Sequence, residues 1–180
     1  MIFFSALVDK DNEIKESPKG IFKINRYCLE NYLFDPLLIF AVFIESDIKI
    51  QIPGINYNRS NISYMKKDSS ENLQKIANTI LSKIEDDIED EKMKARADVT
   101  FISGQKLSYP LWMIELNGKK IRTLYNSKNI GGSKLNNNNL LRELERTGLI
   151  PNDFLEIFHS IQDLTSNMEK NEKLNLASVI

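Results

Sequence analysis

Two aspartates, Asp9 and Asp11, are the residues of this chain whose type and spacing point most directly to chemistry. They follow the apolar run Ile2 to Val8, which is rich in strand-forming residues. Side chains two positions apart in an extended segment point to the same side, so both carboxylates can converge on one divalent cation. The carboxyl end of a strand in a parallel sheet is also where ligands commonly bind. The alternative interpretation is that Asp-Lys-Asp-Asn is a polar turn that closes the strand.

Other residue types that often carry chemistry lack partners in the sequence. His159, the one histidine, falls on a predicted helix outside any Ser-His-Asp or Cys-His arrangement, so we interpret it as a packed or exposed structural histidine. Cys28, the one cysteine, forms neither an internal disulfide nor a zinc cluster, and we expect it to be buried and inert. Gly131-Gly132 and Pro53-Gly54 belong to no nucleotide-binding fingerprint, because neither G-x-x-x-x-G-K-[ST] nor G-x-G-x-x-G occurs. We interpret the acidic stretch from Glu85 to Glu91 as solvated surface.

The composition is that of an ordinary globular protein. It argues against a membrane-spanning protein and against a strongly basic surface for binding nucleic acid. With 24 basic and 25 acidic residues in 180, the formal net charge is −1, so nucleic-acid binding would need a local patch or a metal. The longest apolar run, Leu37 to Ile44, is far shorter than the roughly 20 residues that span a bilayer. A single cysteine fits the reducing cytoplasm best.

The elements that must position the aspartates begin with two short strands, Ile2 to Val8 and Ile21 to Ile24, joined by a polar loop over residues 12–20. A short helical segment, Arg26 to Leu33, is predicted next. Asp35 then acts as the N-cap, and Pro36 as the first residue, of a buried apolar helix that runs to Ile44.

The middle of the chain is predicted to be irregular and then helical. Residues 46–67 lack periodicity and are rich in asparagine. Asp68 to Glu71 has the form of a capping box for a helix whose far half, Glu85 to Lys94, is nearly all charged. Its buried face is predicted to comprise Leu73, Ile76, Ala77, Ile80, Leu81 and Ile84.

The remaining elements are a hairpin and four helices. Val99 to Tyr109 reads as the hairpin, and a short helix from Pro110 places Trp112 and Met113 in the core. A helix headed by Lys119-Lys120, an amphipathic helix from Leu140 to Arg146 and a helix from Pro151 to Leu164 follow. We therefore expect an α/β domain over residues 1–164 with a helical C-terminal portion, and a flexible tail over residues 165–180.

Several segments resemble a known family. Residues 7–12 and 26–36 are similar to the pattern "LVDxDN … RxxxENYLxDP" of TOPRIM-type nuclease domains attached to ABC-type ATPases, the overcoming-lysogenization-defect (OLD-like) group. Residues 109–112 and 117–120 are similar to the "P-x-W … GK" stretch, and residues 148–162 to the C-terminal end. The similarity covers about residues 2–163, and its Asp-x-Asp and Glu-Asn-Tyr-Leu motifs are the most specific parts. It implies a partial TOPRIM-like (Rossmannoid) sheet flanked by helices.

The resemblance implies hydrolysis of phosphodiester bonds in DNA or RNA with Mg²⁺ or Mn²⁺, an ABC-type ATPase as partner, and a role in phage defence. The family's Asp-x-Asp pair matches Asp9 and Asp11 and holds Mg²⁺, with Glu30 as a further acidic ligand or catalytic group. Lys119 falls where these nucleases carry a lysine that stabilises the transition state. The alternatives are that Glu30 is an ordinary first-turn acid and Lys119 a solvated lysine, and the sequence does not decide between Lys119 and Lys120.

The chain also departs from the family pattern. A TOPRIM domain has a strand that ends in a glutamate well upstream of Asp-x-Asp, and no such glutamate precedes Asp9. Met1 leads almost at once into the first strand. We therefore expect either a truncated or split nuclease, whose other half and ATPase lie on another polypeptide, or a decayed remnant of one; a homo-oligomer stays open. The rival hypothesis is a non-catalytic interaction module that docks on an ATPase or on nucleic acid.

Overall fold

The computed structural model describes residues 6–10 and 21–163 and has a mixed α/β fold. Strands β1 (Ala6–Val8) and β2 (Ile21–Lys23) pair in parallel, with Ala6 opposite Ile21. Both predicted N-terminal strands are therefore confirmed over the described residues. The predicted loop over residues 12–20 and the predicted tail over residues 165–180 lie outside them.

The segment after β2 turns into two helices, α1 (Glu30–Leu33) and α2 (Pro36–Glu45). The prediction for α2 is confirmed, since Asp35 caps it by accepting a hydrogen bond of 3.0 Å from the Leu37 amide. The prediction that α1 begins at Arg26 is wrong. The Tyr27 backbone is instead used between segments: its carbonyl accepts from the Lys10 amide and its amide donates to the Ile114 carbonyl, at 3.0 and 2.8 Å.

Residues 46–61 are irregular, as predicted. The same prediction is wrong for Ile62–Lys67, which form a 3₁₀ helix that leads to helix α3 (Ser70–Leu81). Ser69, one residue later than predicted, is the N-cap of α3 and accepts from the Asn72 amide at 3.2 Å. The predicted charged far half of this helix is wrong, because α3 ends at Leu81. Residues 85–94 form two 3₁₀ turns instead. Consecutive carboxylates at a helix C-terminus repel one another and oppose the helix dipole.

The second half of the described chain follows the predicted order. Strands β3 (Arg96–Thr100) and β4 (Lys106–Pro110) form the antiparallel hairpin. The helices after it are α4 (Leu111–Glu115), α5 (Gly118–Ser127), α6 (Asn137–Thr147) and α7 (152–163). Helix α6 begins three residues earlier than predicted, because Asn136 caps it by accepting from the Asn139 amide at 3.0 Å.

The core is built around α2, which packs against both α3 and α6 and is buried from residue 36 to residue 43. All six apolar positions predicted for the α3 face are buried, as are Trp112 and Met113. A smaller cluster joins Ile24, Tyr32 and Ile157, so α7 packs onto the segment that links β2 to α1. Within residues 6–10 and 21–163, no helix combines the length and apolar character needed to cross a bilayer.

Candidate functional site

The chain is anchored to the rest of the fold on both sides of Asp9, by the pairing of β1 with β2 before it and by Lys10 after it. Asp9 is half-buried directly after the strand, and the next residue, Lys10, donates its amide to the Tyr27 carbonyl at 3.0 Å. The Lys10 ammonium also reaches both carboxylate oxygens of Glu115, at 2.6 and 2.8 Å. These contacts hold the end of β1 against the loop before α1 and the end of α4. Asp11 lies outside the described residues.

Helix α1 is only four residues long, and the buried side chain of Asn31 fixes its position. The Asn31 amide nitrogen donates to the carbonyls of Met113 and Leu116, at 3.0 and 2.8 Å. Its oxygen accepts from the Cys28 amide at 3.2 Å and from the Cys28 thiol at 2.9 Å. Asn31 therefore braces α1 against the end of α4.

Glu30, the first residue of α1, lies against the first residue of α5. A Cβ atom placed on Gly118 would lie 2.6 Å from the Cβ of Glu30, well inside van der Waals contact. The Gly118 amide also donates to the Cys28 sulfur at 3.4 Å. Burial is the main cause that raises the pKa of the Cys28 thiol, so the thiol stays protonated and inert at neutral pH. A glycine at this position is what allows α1 and α5 to approach this closely.

The approach of α1 to α5 places Glu30 and Lys119 on one groove of about 340 Å³. Residues of α5 one and two turns further along also line it, as does the first residue of α6; these are Arg122, Thr123, Asn126 and Asn137. Lys120 is exposed but does not line the groove. Of the two lysines that the sequence left undecided, Lys119 is the one beside Glu30. Arg122 and Asn126 are candidate site residues that the sequence patterns did not indicate, although their spacing from Lys119 is helical.

Glu30 is the one carboxylate that lines this groove; Asp9 is not among the lining residues, and the described residues do not complete a metal-ligand set. Within residues 6–10 and 21–163, no three His, Cys, Asp or Glu side chains converge closely enough to hold a metal, and this includes the acidic stretch at Glu85. Mg²⁺ takes oxygen ligands and keeps several waters, so a few carboxylates suffice. Asp9 and Glu30 offer the right donor chemistry, and Asp11 would have to supply the rest.

A buried ionic network contacts α1 through Arg26. The sequence patterns did not indicate this network either. The Arg26 guanidinium, 1 % exposed, donates to the Asn31 carbonyl at 2.9 Å and stacks 4.5 Å from the centre of the Tyr32 ring. It lies 3.9 Å from Asp35, whose other oxygen accepts from the Tyr109 hydroxyl at 3.0 Å. Burial raises the pKa of Asp35 to about 6, although the Arg26 charge opposes this.

A larger cavity of about 610 Å³ lies beside residues 47–60 and contains none of the predicted site residues. We therefore regard the smaller groove between α1 and α5 as the candidate site. Comparison of the chain with protein-family models, with curated proteins and with solved structures gave no match. The function must therefore be inferred from the residues and their geometry.

Proposed function

We propose that this chain is a metal-dependent nuclease domain or subunit that hydrolyses phosphodiester bonds of DNA or RNA and works with an ABC-type ATPase. The observation that carries the proposal is the placement of Glu30 and Lys119 on one groove. These two residues lie far apart in the sequence, and the resemblance had assigned them related roles. Asp9 directly precedes Lys10, which is anchored to Tyr27 and Glu115, and would supply a further oxygen donor.

In this proposal each residue has a distinct task. Asp9, Asp11 and Glu30 would hold Mg²⁺ or Mn²⁺ through their carboxylate oxygens, and the bound ion would lower the pKa of a coordinated water and polarise the phosphate. Lys119 neutralises charge that develops on the phosphoryl oxygens. It stands at the head of α5, where the positive end of the helix dipole adds to its field. Asn31 and Gly118 act indirectly, because they fix the distance between α1 and α5.

The proposal extends to a cytoplasmic location and to the ATPase partner. Cys28, the one cysteine, is buried as a free thiol, which fits a reducing compartment. The sequence has no nucleotide-binding fingerprint, so the nucleotide would be bound by the partner. The support for an ATPase partner is the family resemblance of the motifs around Asp9 and Glu30.

Metal binding and cleavage can be tested separately. Calorimetric titration of the purified chain with Mn²⁺ should show binding that is lost in the double variant Asp9→Asn/Asp11→Asn. Cleavage of labelled DNA and RNA with Mn²⁺, measured with the missing partner supplied, should fall at least a hundredfold in Lys119→Gln. It should stay near wild type in Lys120→Gln, which removes the same charge outside the groove. Equal loss in the two lysine variants, or cleavage that survives Asp11→Asn, would contradict the proposal.

A non-catalytic interaction module is the second candidate. It is favoured by one observation: no three-carboxylate set forms among the residues that the structure describes. This candidate predicts nucleic-acid or ATPase binding without a calorimetric Mn²⁺ signal. Cleavage that disappears in Asp11→Asn while the fold survives would exclude it in favour of the nuclease.

A further inference from the structure

Helix α5 begins with a cluster of cations that have no ionic partner among the residues that the structure describes. Lys119, Lys120 and Arg122 are all exposed, and none is within 4 Å of a carboxylate in the described part of the chain. Some cations further along the chain are paired, for example Lys128 with Asp87 at 3.0 Å and Arg146 with Glu45 at 2.6 Å. The head of α5 is therefore a local positive patch on a chain of near-zero net charge.

These cations stand at the end of the helix where they are least favourable for folding. The N-terminus of a helix carries positive partial charge, so acidic residues are the stabilising choice there. The first turn of α5 contains no acidic residue and two lysines instead. The α5 backbone amides are already used, because the Gly118 amide donates to the Cys28 sulfur and the Lys119 amide to the Asn117 side chain. Side chains, rather than free backbone amides, would have to bind an anion at this site.

The side chains on one face of α5 form a polar track along the groove. Lys119, Arg122 and Asn126 succeed one another at helical spacing, and Asn137 lies across from them at the start of α6. The side chains of Asn126 and Asn137 make no hydrogen bond with any other described residue. Glu30 is the one carboxylate among the residues that line the groove. The track thus offers two positive charges and two uncommitted amides on an exposed surface.

We propose that this track binds the sugar-phosphate backbone of the nucleic-acid strand, with Arg122 as a phosphate-binding residue in addition to Lys119. The inference rests on the proposed function and names the surface that would hold its substrate. Arg122 offers a planar fork of donors that matches two phosphate oxygens, whereas Lys119 offers a point charge. Asn126 and Asn137 donate to phosphate or sugar oxygens, which positions a strand without reading its bases. A phosphate in the groove is then placed next to Glu30, one of the carboxylates proposed to hold the metal.

The test is nucleic-acid binding in the absence of metal. Fluorescence anisotropy of a labelled single-stranded oligonucleotide, in EDTA, should show affinity that falls about tenfold in Arg122→Gln at 0.1 M salt, because one charge-assisted contact is lost. The dependence of log K on log salt concentration should become shallower by about one unit. Lys120→Gln, a matched loss of charge on the same helix but outside the groove, should change the affinity less than twofold. Arg122→Lys should restore part of the affinity.

Two results would overturn the inference. One is an equal loss of oligonucleotide affinity in Arg122→Gln and Lys120→Gln, which would mean that the positive charge of α5 attracts the strand without a specific contact. The other is no binding of the oligonucleotide by the wild-type chain at low salt. Far-ultraviolet circular dichroism would confirm that the variants are folded. The inference and the proposed function fail separately. Arg122 is not among the proposed metal ligands, so the Mn²⁺ binding measured by calorimetry should be unchanged in Arg122→Gln. If the wild-type chain binds no Mn²⁺, that result would count against the nuclease and not against the track.

Discussion

The side-chain amide of Asn31 donates to the Leu116 carbonyl at 2.8 Å, and this contact ties helix α1 to the turn from which α5 begins. The same amide reaches Met113, so one buried side chain closes the end of α4. Glu30 directly precedes Asn31 in α1, and Lys119 lies in the first turn of α5. The groove is therefore positioned by a buried polar contact, not by the two charged residues that line it.

Replacing Asn31 by alanine should lower the free energy of unfolding by about 3 kcal/mol, because the substitution leaves buried carbonyls and the Cys28 amide without partners. Urea denaturation measures this directly. Asn138→Ala, on the exposed face of α6, is the matched control and should change stability by less than about 0.5 kcal/mol. Equal effects of the two substitutions would show that Asn31 does not brace α1.

Gly118→Ala should destabilise the chain by about 1–3 kcal/mol, because the new methyl group would overlap the Cβ of Glu30. The direction is informative, since alanine is intrinsically more favourable than glycine within a helix by about 1 kcal/mol. Stabilisation of the chain by Gly118→Ala would mean that α1 and α5 are not in close contact. We expect this variant to have lower cleavage activity and lower nucleic-acid affinity than the wild type while it keeps its secondary structure.

Asp35 should make the protein more stable at mildly acidic pH. Its pKa is about 6 in the folded chain, mainly through burial, against an ordinary value of 3.8. The folded state therefore binds a proton more tightly than the unfolded state, and this contribution to stability is lost as the pH rises from about 4 through 6. Arg26, Asp153 and the Tyr109 hydroxyl face this carboxyl and modulate the shift.

The measurement for Asp35 is the free energy of unfolding of the wild type and of Asp35→Asn from pH 4 to pH 7. Asparagine mimics the protonated carboxyl and can still accept from the Leu37 amide and the Tyr109 hydroxyl. The wild type should lose about 1–3 kcal/mol relative to the variant over this range. A difference that does not vary with pH would contradict the raised pKa.

The parts of the fold that could be predicted from the sequence are those in which local signals and burial agree. The periodic apolar positions of α3, the Asp35-Pro36 start of α2 and the β3–β4 hairpin are all confirmed. The end of α3 at Leu81 could not be read from periodicity, because Ile84 continues the pattern and is also buried after the helix has ended. Its burial is a tertiary effect.

For the candidate site, residue types were predictable but convergence was not. Lys119 and Glu30 were named from the family resemblance, and only the fold shows that they share a groove. The contact between Gly118 and Glu30 joins segments far apart in sequence, and nothing at either position signals it. Arginine side chains are mostly exposed in folded proteins. Arg26 is nevertheless only 1 % exposed, because the Tyr32 ring and two carboxylates surround it.

The most direct test of the central claim, that Asp9, Asp11 and Glu30 bind a divalent cation beside Lys119, is a residue-resolved NMR titration with Mn²⁺. Paramagnetic broadening should first remove the backbone amide signals of Glu30, Gly118 and Lys119, at Mn²⁺ levels below one equivalent. The same titration of Asp9→Asn/Asp11→Asn should leave these signals intact. Broadening centred on the acidic stretch from Glu85 to Glu91, or broadening at Glu30 that survives the double substitution, would contradict the claim.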